Sequence, residues 1–198
     1  MNPYHARRPK FHGEKYLKFR CTECGNCCSD TIVPVTDEDV RRLMQGTGLK
    51  AQDIAMLFKK TDFDDGGDGL EFANLDGGRR TLGLRKRQDK ENGREACRFF
   101  KDNRCSVYKD RPVTCRVWPF TVRFDDSGRR ISSLSINPSL PCPYELDGKS
   151  NVSELVANWR WDDRQDGVWS AKIKEWNRTR SAGTEKEFFA YLGLGWAL

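Results

Sequence analysis

Eight cysteines are the residues of this chain whose type and spacing could do chemistry. Four fall within eight residues, Cys21, Cys24, Cys27 and Cys28, in the pattern C-x2-C-x2-C-C. The others, Cys97, Cys105, Cys115 and Cys142, are strung along the middle of the chain. Thiolates this dense repel one another unless a metal centre neutralises them. Four thiolates satisfy one iron–sulfur cluster or one structural zinc, and eight is twice four. The C-x2-C-x2-C spacing of Cys21, Cys24 and Cys27 lets one loop grip three corners of a cubane. The bacterial ferredoxin run with this spacing normally continues to a Cys-Pro three residues later. Here Cys28 is followed by Ser29, and the Cys-Pro is remote, at Cys142-Pro143.

Zinc competes for the same ligands. Structural zinc sites favour paired knuckles with two to four residues between ligands. Cys97, Cys105 and Cys115 are separated by seven and nine residues and do not supply a knuckle. The expected cofactor is therefore one or two 4Fe-4S clusters, with zinc as the alternative. Cys21, Cys24 and Cys27 are expected to ligate one centre, with the fourth ligand from Cys28 or from the later cysteines. Cys27 and Cys28 are adjacent, so their side chains are expected to diverge. They would then serve different centres, unless Cys28 is simply a buried free thiol.

Around the cysteines, Arg111 and Arg116 flank Cys115, and Tyr108 precedes them. An arginine beside a cluster can hydrogen-bond sulfide or thiolate and raise the reduction potential. It can also bind a substrate carboxylate or phosphate, or pair with a nearby Asp or Glu. Glu23 inside the loop reads as an acid or base, or as a solvated carboxylate. The only histidines, His5 and His12, have no ligand-like spacing to the loop, so Ser–His or Cys–His catalysis lacks support. No glycine-rich stretch matches a P-loop or a dinucleotide fingerprint. Trp118, Trp159, Trp161, Trp169 and Trp176 are expected to pack over the loops and keep water from the centre. An aromatic platform for nucleic-acid bases is the alternative.

The chain has 198 residues, 32% of them charged and 37% hydrophobic. That length suits one domain whose modest core draws some of its order from metal sites. The formal charge of +6 comes from mixed signs and reads as a solvated surface. The basic excess could also offset cluster charge, or favour an acidic partner or nucleic acid. No apolar run approaches a membrane span, and Met1 to Arg20 has no signal-peptide core. A cytoplasmic location is expected, where cysteines serve metals rather than disulfides.

The elements that must position these thiols are short. Residues 1–18 read as a flexible basic arm, 19–145 as the cysteine-cluster domain, and 146–198 as a Trp-rich helical segment packing on it. Thr36 and Asp39 form a capping box for a helix over "DEDVRRLMQG", closed by Gly46. "LKAQDIAMLFKK" (49–60) reads as a second helix, with Leu49, Ile54, Leu57 and Phe58 on one face. The turn-rich stretch 62–80 has Ala73 where a calcium loop starting at Asp62 needs its bidentate Glu, so it reads as a solvated loop. "TLGLRKR" (81–87) alternates like a strand. Residues 96–108 read as a hairpin turned at Asp102 and Asn103, with Cys97 and Cys105 on its arms. Arg111-Pro112 starts a helical turn that Pro119 ends. A second hairpin (121–136) turns at Asp126–Gly128. Ser153 caps a helix that Gly167 interrupts, and "TEKEFFAYLGLG" closes the chain. The fold class is α+β: a small irregular domain of short hairpins and helices organised around cysteine-ligated metal.

Three segments, "FRCTECGNCCSD", "CRFFKDNRCSVYKDRPVTCRVWPF" and "PCPY", together resemble the YkgJ-like cysteine-cluster family, also called the CxxCxxCC zinc- or iron-chelating domain. The resemblance covers roughly residues 19 to 145, and all eight cysteines fall on its motif positions. Trp118 stands where the family commonly has Phe. The resemblance implies a metal-binding protein, with iron–sulfur oxidoreductase as the usual label. It implies an unknown redox partner for such an enzyme, or a protein or nucleic-acid partner for a zinc module. One branch with a similar cysteine motif, flagellin lysine N-methylase, adds iron–sulfur-dependent methyl transfer from S-adenosylmethionine as a further alternative.

Overall fold

The computed structural model describes residues 15–22, 24–29, 31–63, 67–88, 93, 95–102, 104–128, 130–137, 142–180 and 182–195. In chain order the strands are β1 (Tyr16–Leu17), β2 (Arg20–Cys21), β3 (Ala55–Lys59), β4 (Ala73–Leu75), β5 (Gly78–Leu84), β6 (Lys86–Gln88), β7 (Glu95–Cys97), β8 (Phe100–Lys101), β9 (Arg104–Cys105), β10 (Phe120–Phe124), β11 (Ile131–Ile136), β12 (Tyr144–Glu145) and β13 (Ser150–Asn151). The helices are α1 (Asp37–Thr47), α2 (Ala51–Ile54), α3 (Val113–Val117), α4 (Val152–Thr179) and α5 (Glu185–Tyr191). This is the expected mixed α+β architecture, with strands joined only in small antiparallel groups.

Two apolar clusters hold it together. The larger joins α1, α2 and the three-stranded sheet β3-β5-β4 to the second half of α4 and to α5, with Leu43, Ile54, Leu82, Ile173, Trp176 and Phe188 at its centre. The smaller lies under the β10–β11 hairpin, where Phe120, Leu134 and Ile136 meet Phe19, Tyr144 and Leu155. Helix α4 runs through both, so the C-terminal segment completes the core rather than covering a finished domain. Fully burying side chains of this size stabilises by about 1.5–3 kcal/mol each.

Local signals explain most elements. Thr36 and Asp39 make the predicted capping box on α1. The helix closes at Gly48, with φ of 70°, two residues past the expected Gly46. Gly46 stays helical and small because the Asp110 carboxylate packs on it. The second predicted helix is a correction: only Ala51–Ile54 is helical, and Ala55–Lys59 turns into β3. Its register, Ala55 opposite Leu84 through Lys59 opposite Arg80, gives the backbone sheet partners that outweigh a short helical pattern. The strand expected over 81–87 begins earlier, at Gly78, and breaks at Arg85 into β5 and β6. Asn151, not Ser153, caps α4, accepting from the amides of Ser153 and Glu154. Gly167 does not interrupt that helix: its Cβ position is open space, and 28 residues of continuous hydrogen bonding absorb a cost of about 1 kcal/mol. Of the arm expected over 1–18, only residues 15–18 are described. Tyr16–Leu17 pairs with Ser150–Asn151, and Leu17 is buried. His5, His12, Glu23 and the acidic run 64–66 lie outside the described residues.

Candidate metal centre

The cysteine loop is clamped on its N-terminal side by the Cys142 segment. Strand β2 pairs with β12, placing Cys21 opposite Tyr144, two residues from Cys142. The Thr22 hydroxyl donates to the Pro143 carbonyl at 3.0 Å, and Arg20 donates twice to Asp147, at 2.8 and 2.9 Å. Gly148 is pressed so close to Phe19 that a Cβ would stand 1.8 Å from its carbonyl oxygen. Here the Cys24 and Cys142 thiols hydrogen-bond, and the Cys27 amide donates to the Cys142 sulfur. Burial, then the Cys24 contact, pushes the Cys142 thiol up to about 12.

On its other side the loop meets the middle of the chain. A 3-10 turn, Asn26–Cys28, follows Gly25, and the Cys28 amide closes it on the Gly25 carbonyl at 2.8 Å. Ser29 then bridges Ala96, setting Cys28 beside Cys97 on β7. Cys97 was expected on one arm of the 96–108 hairpin. It belongs instead to the β6–β7 pair, opposite Lys86, while the hairpin proper is β8–β9 with Phe100 opposite Cys105. The reason is competition for the backbone: Cys97 finds its sheet partner in Lys86, before the hairpin of Phe100–Lys101 and Arg104–Cys105 begins. Cys115 arrives on α3, which begins after Pro112 as predicted. An unpredicted residue positions that helix. Asp39 of α1 accepts from the Val113 amide at 3.2 Å and from Arg42 at 2.7 Å, and Arg42 also donates to the Arg111 carbonyl at 3.1 Å.

Cys27 and Cys28 require a correction. Their sulfurs do not diverge but lie 3.9 Å apart in a hydrogen bond, because the tight turn curls both inward. The Cys28 thiol lowers its neighbour, so Cys27 drops to about 7, helped by the charge of Arg111 and opposed by burial. Cys28 is pushed up by the same hydrogen bond, by burial, and by the nearby Cys97 and Cys115. Burial, then neighbouring thiols, raises Cys115, and burial raises Cys97. All eight cysteines are free thiols. Among the described residues, no three donors are arranged around a single ion. The donors nonetheless suit metal: they are soft sulfurs gathered from five segments of chain.

The surround differs in part from expectation. Arg111 stacks over the exposed Tyr108 ring, 4.1 Å from its centroid, and its charge favours the thiolates of Cys27 and Cys115. Arg116 turns to the carbonyls of Lys109 and Arg111, not to a sulfur or a carboxylate. Trp169 and Trp176 are core, Trp159 donates to the Phe120 carbonyl, and Trp161 lies under the Arg42 guanidinium. These rings order the frame, with Trp118 also packing against the smaller cluster. On α4, burial and the neighbouring carboxylates of Asp166, Asp39 and Asp163 push Asp162 up to about 7.

The profile of the CxxCxxCC domain, described as a putative zinc- or iron-chelating domain, matches residues 20–140. The chain belongs to the CxxCxxCC family. Seven of the eight cysteines lie inside the matched span, and Cys142 lies two residues beyond it. Metal binding is thus the family's character, and the thiol groups are where this CxxCxxCC chain would express it. No curated protein and no solved structure matches the chain. Among the described residues, no helix is long and apolar enough to cross a membrane.

Proposed function

We propose that this CxxCxxCC protein carries 4Fe-4S iron–sulfur chemistry on its cysteines and passes electrons in a redox reaction with a partner. The observation that carries the reading is the convergence of sulfur alone: Cys24 and Cys27 neighbour Cys142, and Cys28 neighbours Cys97 and Cys115, which also feel Cys105. An all-thiolate set with a C-x2-C-x2-C loop is what a cubane takes. A bound cluster would supply one-electron transfer. The chain's own contribution would be burial of Cys97 and Cys142 and the positive charge of Arg111 beside Cys27, both of which tune a reduction potential.

One observation favours structural zinc, with the domain acting as an interaction module. The family description names zinc beside iron, and four thiolates alone satisfy a structural zinc site. Anaerobic purification followed by iron, zinc and acid-labile sulfide assays separates the readings. Iron with matching sulfide and a reversible redox wave supports the first. Stoichiometric zinc without sulfide overturns it and leaves the second.

A further inference from the structure

We propose that the eight thiols form two separate four-thiolate centres, Cys21, Cys24, Cys27 and Cys142 in one and Cys28, Cys97, Cys105 and Cys115 in the other, joined by the peptide bond between Cys27 and Cys28. The inference rests on the reading that these thiols hold metal, but not on which metal.

Backbone pairing makes the first division. Cys21 lies on β2 against β12, next to Cys142, while Ser29 on Ala96 sets Cys28 beside Cys97. Packing makes the same division. Cys142 belongs to the smaller apolar cluster, whereas Cys97 belongs to the larger one, with Cys28, Cys105 and Cys115 packed against it. Side-chain neighbours agree: Cys142 meets Cys24, and Cys28 feels Cys97 and Cys115.

Cys27 has neighbours on both sides, since it reaches Cys142, Cys97 and Cys115. Counting assigns it. Without Cys27 and Cys28 there remain two sets of three, Cys21–Cys24–Cys142 and Cys97–Cys105–Cys115. A four-thiolate centre needs one more ligand in each. Cys28 faces the second set, so Cys27 completes the first. A single ion holding both adjacent sulfurs would leave each set of three incomplete. The hydrogen bond between Cys27 and Cys28 is then the metal-free form of a junction that opens when each sulfur turns to its own centre. Two centres one residue apart would act together, and loading one would order the loop for the other.

Native mass spectrometry of the anaerobically purified full chain counts the centres directly. Two centres per chain are expected. The variant C142A should keep one centre, as should C105A, and C105A/C142A should keep none. A single centre in the unmodified chain overturns the partition, as does loss of all metal from a single variant whose circular-dichroism spectrum is retained. Should a variant unfold, the count on the unmodified chain decides. Two zinc ions would uphold the partition while overturning the iron–sulfur reading. One sulfide-bearing cluster would do the reverse, and a metal-free chain would overturn both.

Discussion

The ring of Phe100 occupies the place where a side chain on residue 25 would stand: a Cβ on Gly25 would lie 2.2 Å from the Phe100 Cζ. Gly25 also holds a φ of 76°, which costs any other residue about 1 kcal/mol or more. One position thus seats the cysteine loop directly on the β8–β9 hairpin that carries Cys105. G25A is expected to destabilise the protein by about 2–4 kcal/mol, from overlap plus backbone strain. Its metal content should fall as well. G25A/F100A should recover the overlap part but not the strain, which urea unfolding of the two variants would reveal. Equal stability of G25A and the parent would show that the loop does not sit on Phe100.

Asp162 makes stability depend on pH in the opposite sense to an ordinary surface carboxylate. Its folded value is about 7 against an ordinary 3.8, because burial, then Asp166, Asp39 and Asp163, disfavour the charge. Between about pH 4 and 7 the native state therefore holds more protons than the unfolded chain, and stability falls as pH rises. Above pH 7 the penalty is fully present. D162N, neutral at every pH, should raise Tm relative to the parent at pH 8, and the gain should vanish near pH 4. Thermal melts of both proteins across that range, with the same metal loading, provide the check. A constant difference would assign the effect to packing instead.

What the sequence made legible was chemistry and punctuation. Eight cysteines, the Thr36–Asp39 capping box, the Pro112 start of α3 and the Asp126–Gly128 turn are local signals, and each appears where the residues place it. What it hid depends on distant partners. Ala55–Lys59 reads as helix until Leu84 and Gly83 stand opposite, and Cys97 reads as a hairpin arm until Lys86 claims it. The proximity of the Cys27 and Cys28 sulfurs depends on side-chain rotamers in a 3-10 turn, which no spacing encodes. Asp39 carried a local signal as a cap residue. Its second task, holding the Cys115 helix from 74 positions away, could not be read from one sequence.

The Cys27 thiol should be the reactive one when metal is absent. Its lowering to about 7, against the effect of burial, comes first from the Cys28 hydrogen bond, then from a hydrogen bond with its own backbone, and then from Arg111. Above pH 7 it is mostly thiolate, the form that attacks alkylating reagents. In reduced, metal-free protein, the iodoacetamide rate at Cys27, mapped by peptide mass spectrometry, should reach half its maximum near pH 7. C28A removes the donor and should shift that midpoint upward, with R111Q acting in the same direction more weakly. A midpoint unchanged in C28A would remove the hydrogen bond as the cause.

The far end of α4 secures an open strand edge with one amide side chain. Among the described residues, strand β4 pairs with β5 on one side only. On the other side, Asn177 accepts from the Asn74 amide at 2.7 Å and donates to the Phe72 carbonyl at 2.9 Å, while the Trp176 indole donates to the Asn74 carbonyl at 2.8 Å. Asn177 thus pairs with β4 as a neighbouring strand would. N177A leaves a backbone donor and an acceptor without these partners, at a cost of about 1–3 kcal/mol. N177D keeps the acceptor but loses the donor, and should fall between the parent and N177A. F188A empties a fully buried site against Trp176 and should cost about 3–5 kcal/mol. Phe188 lies in the larger cluster and Asn177 is next in the chain to its Trp176; that cluster also supports Cys97, so metal release on mild heating should come earlier in step with the loss of stability. If chelator-monitored metal release stays at the parent temperature while urea unfolding shifts, the thiol groups are ordered by their own loops and not by the helical core behind them.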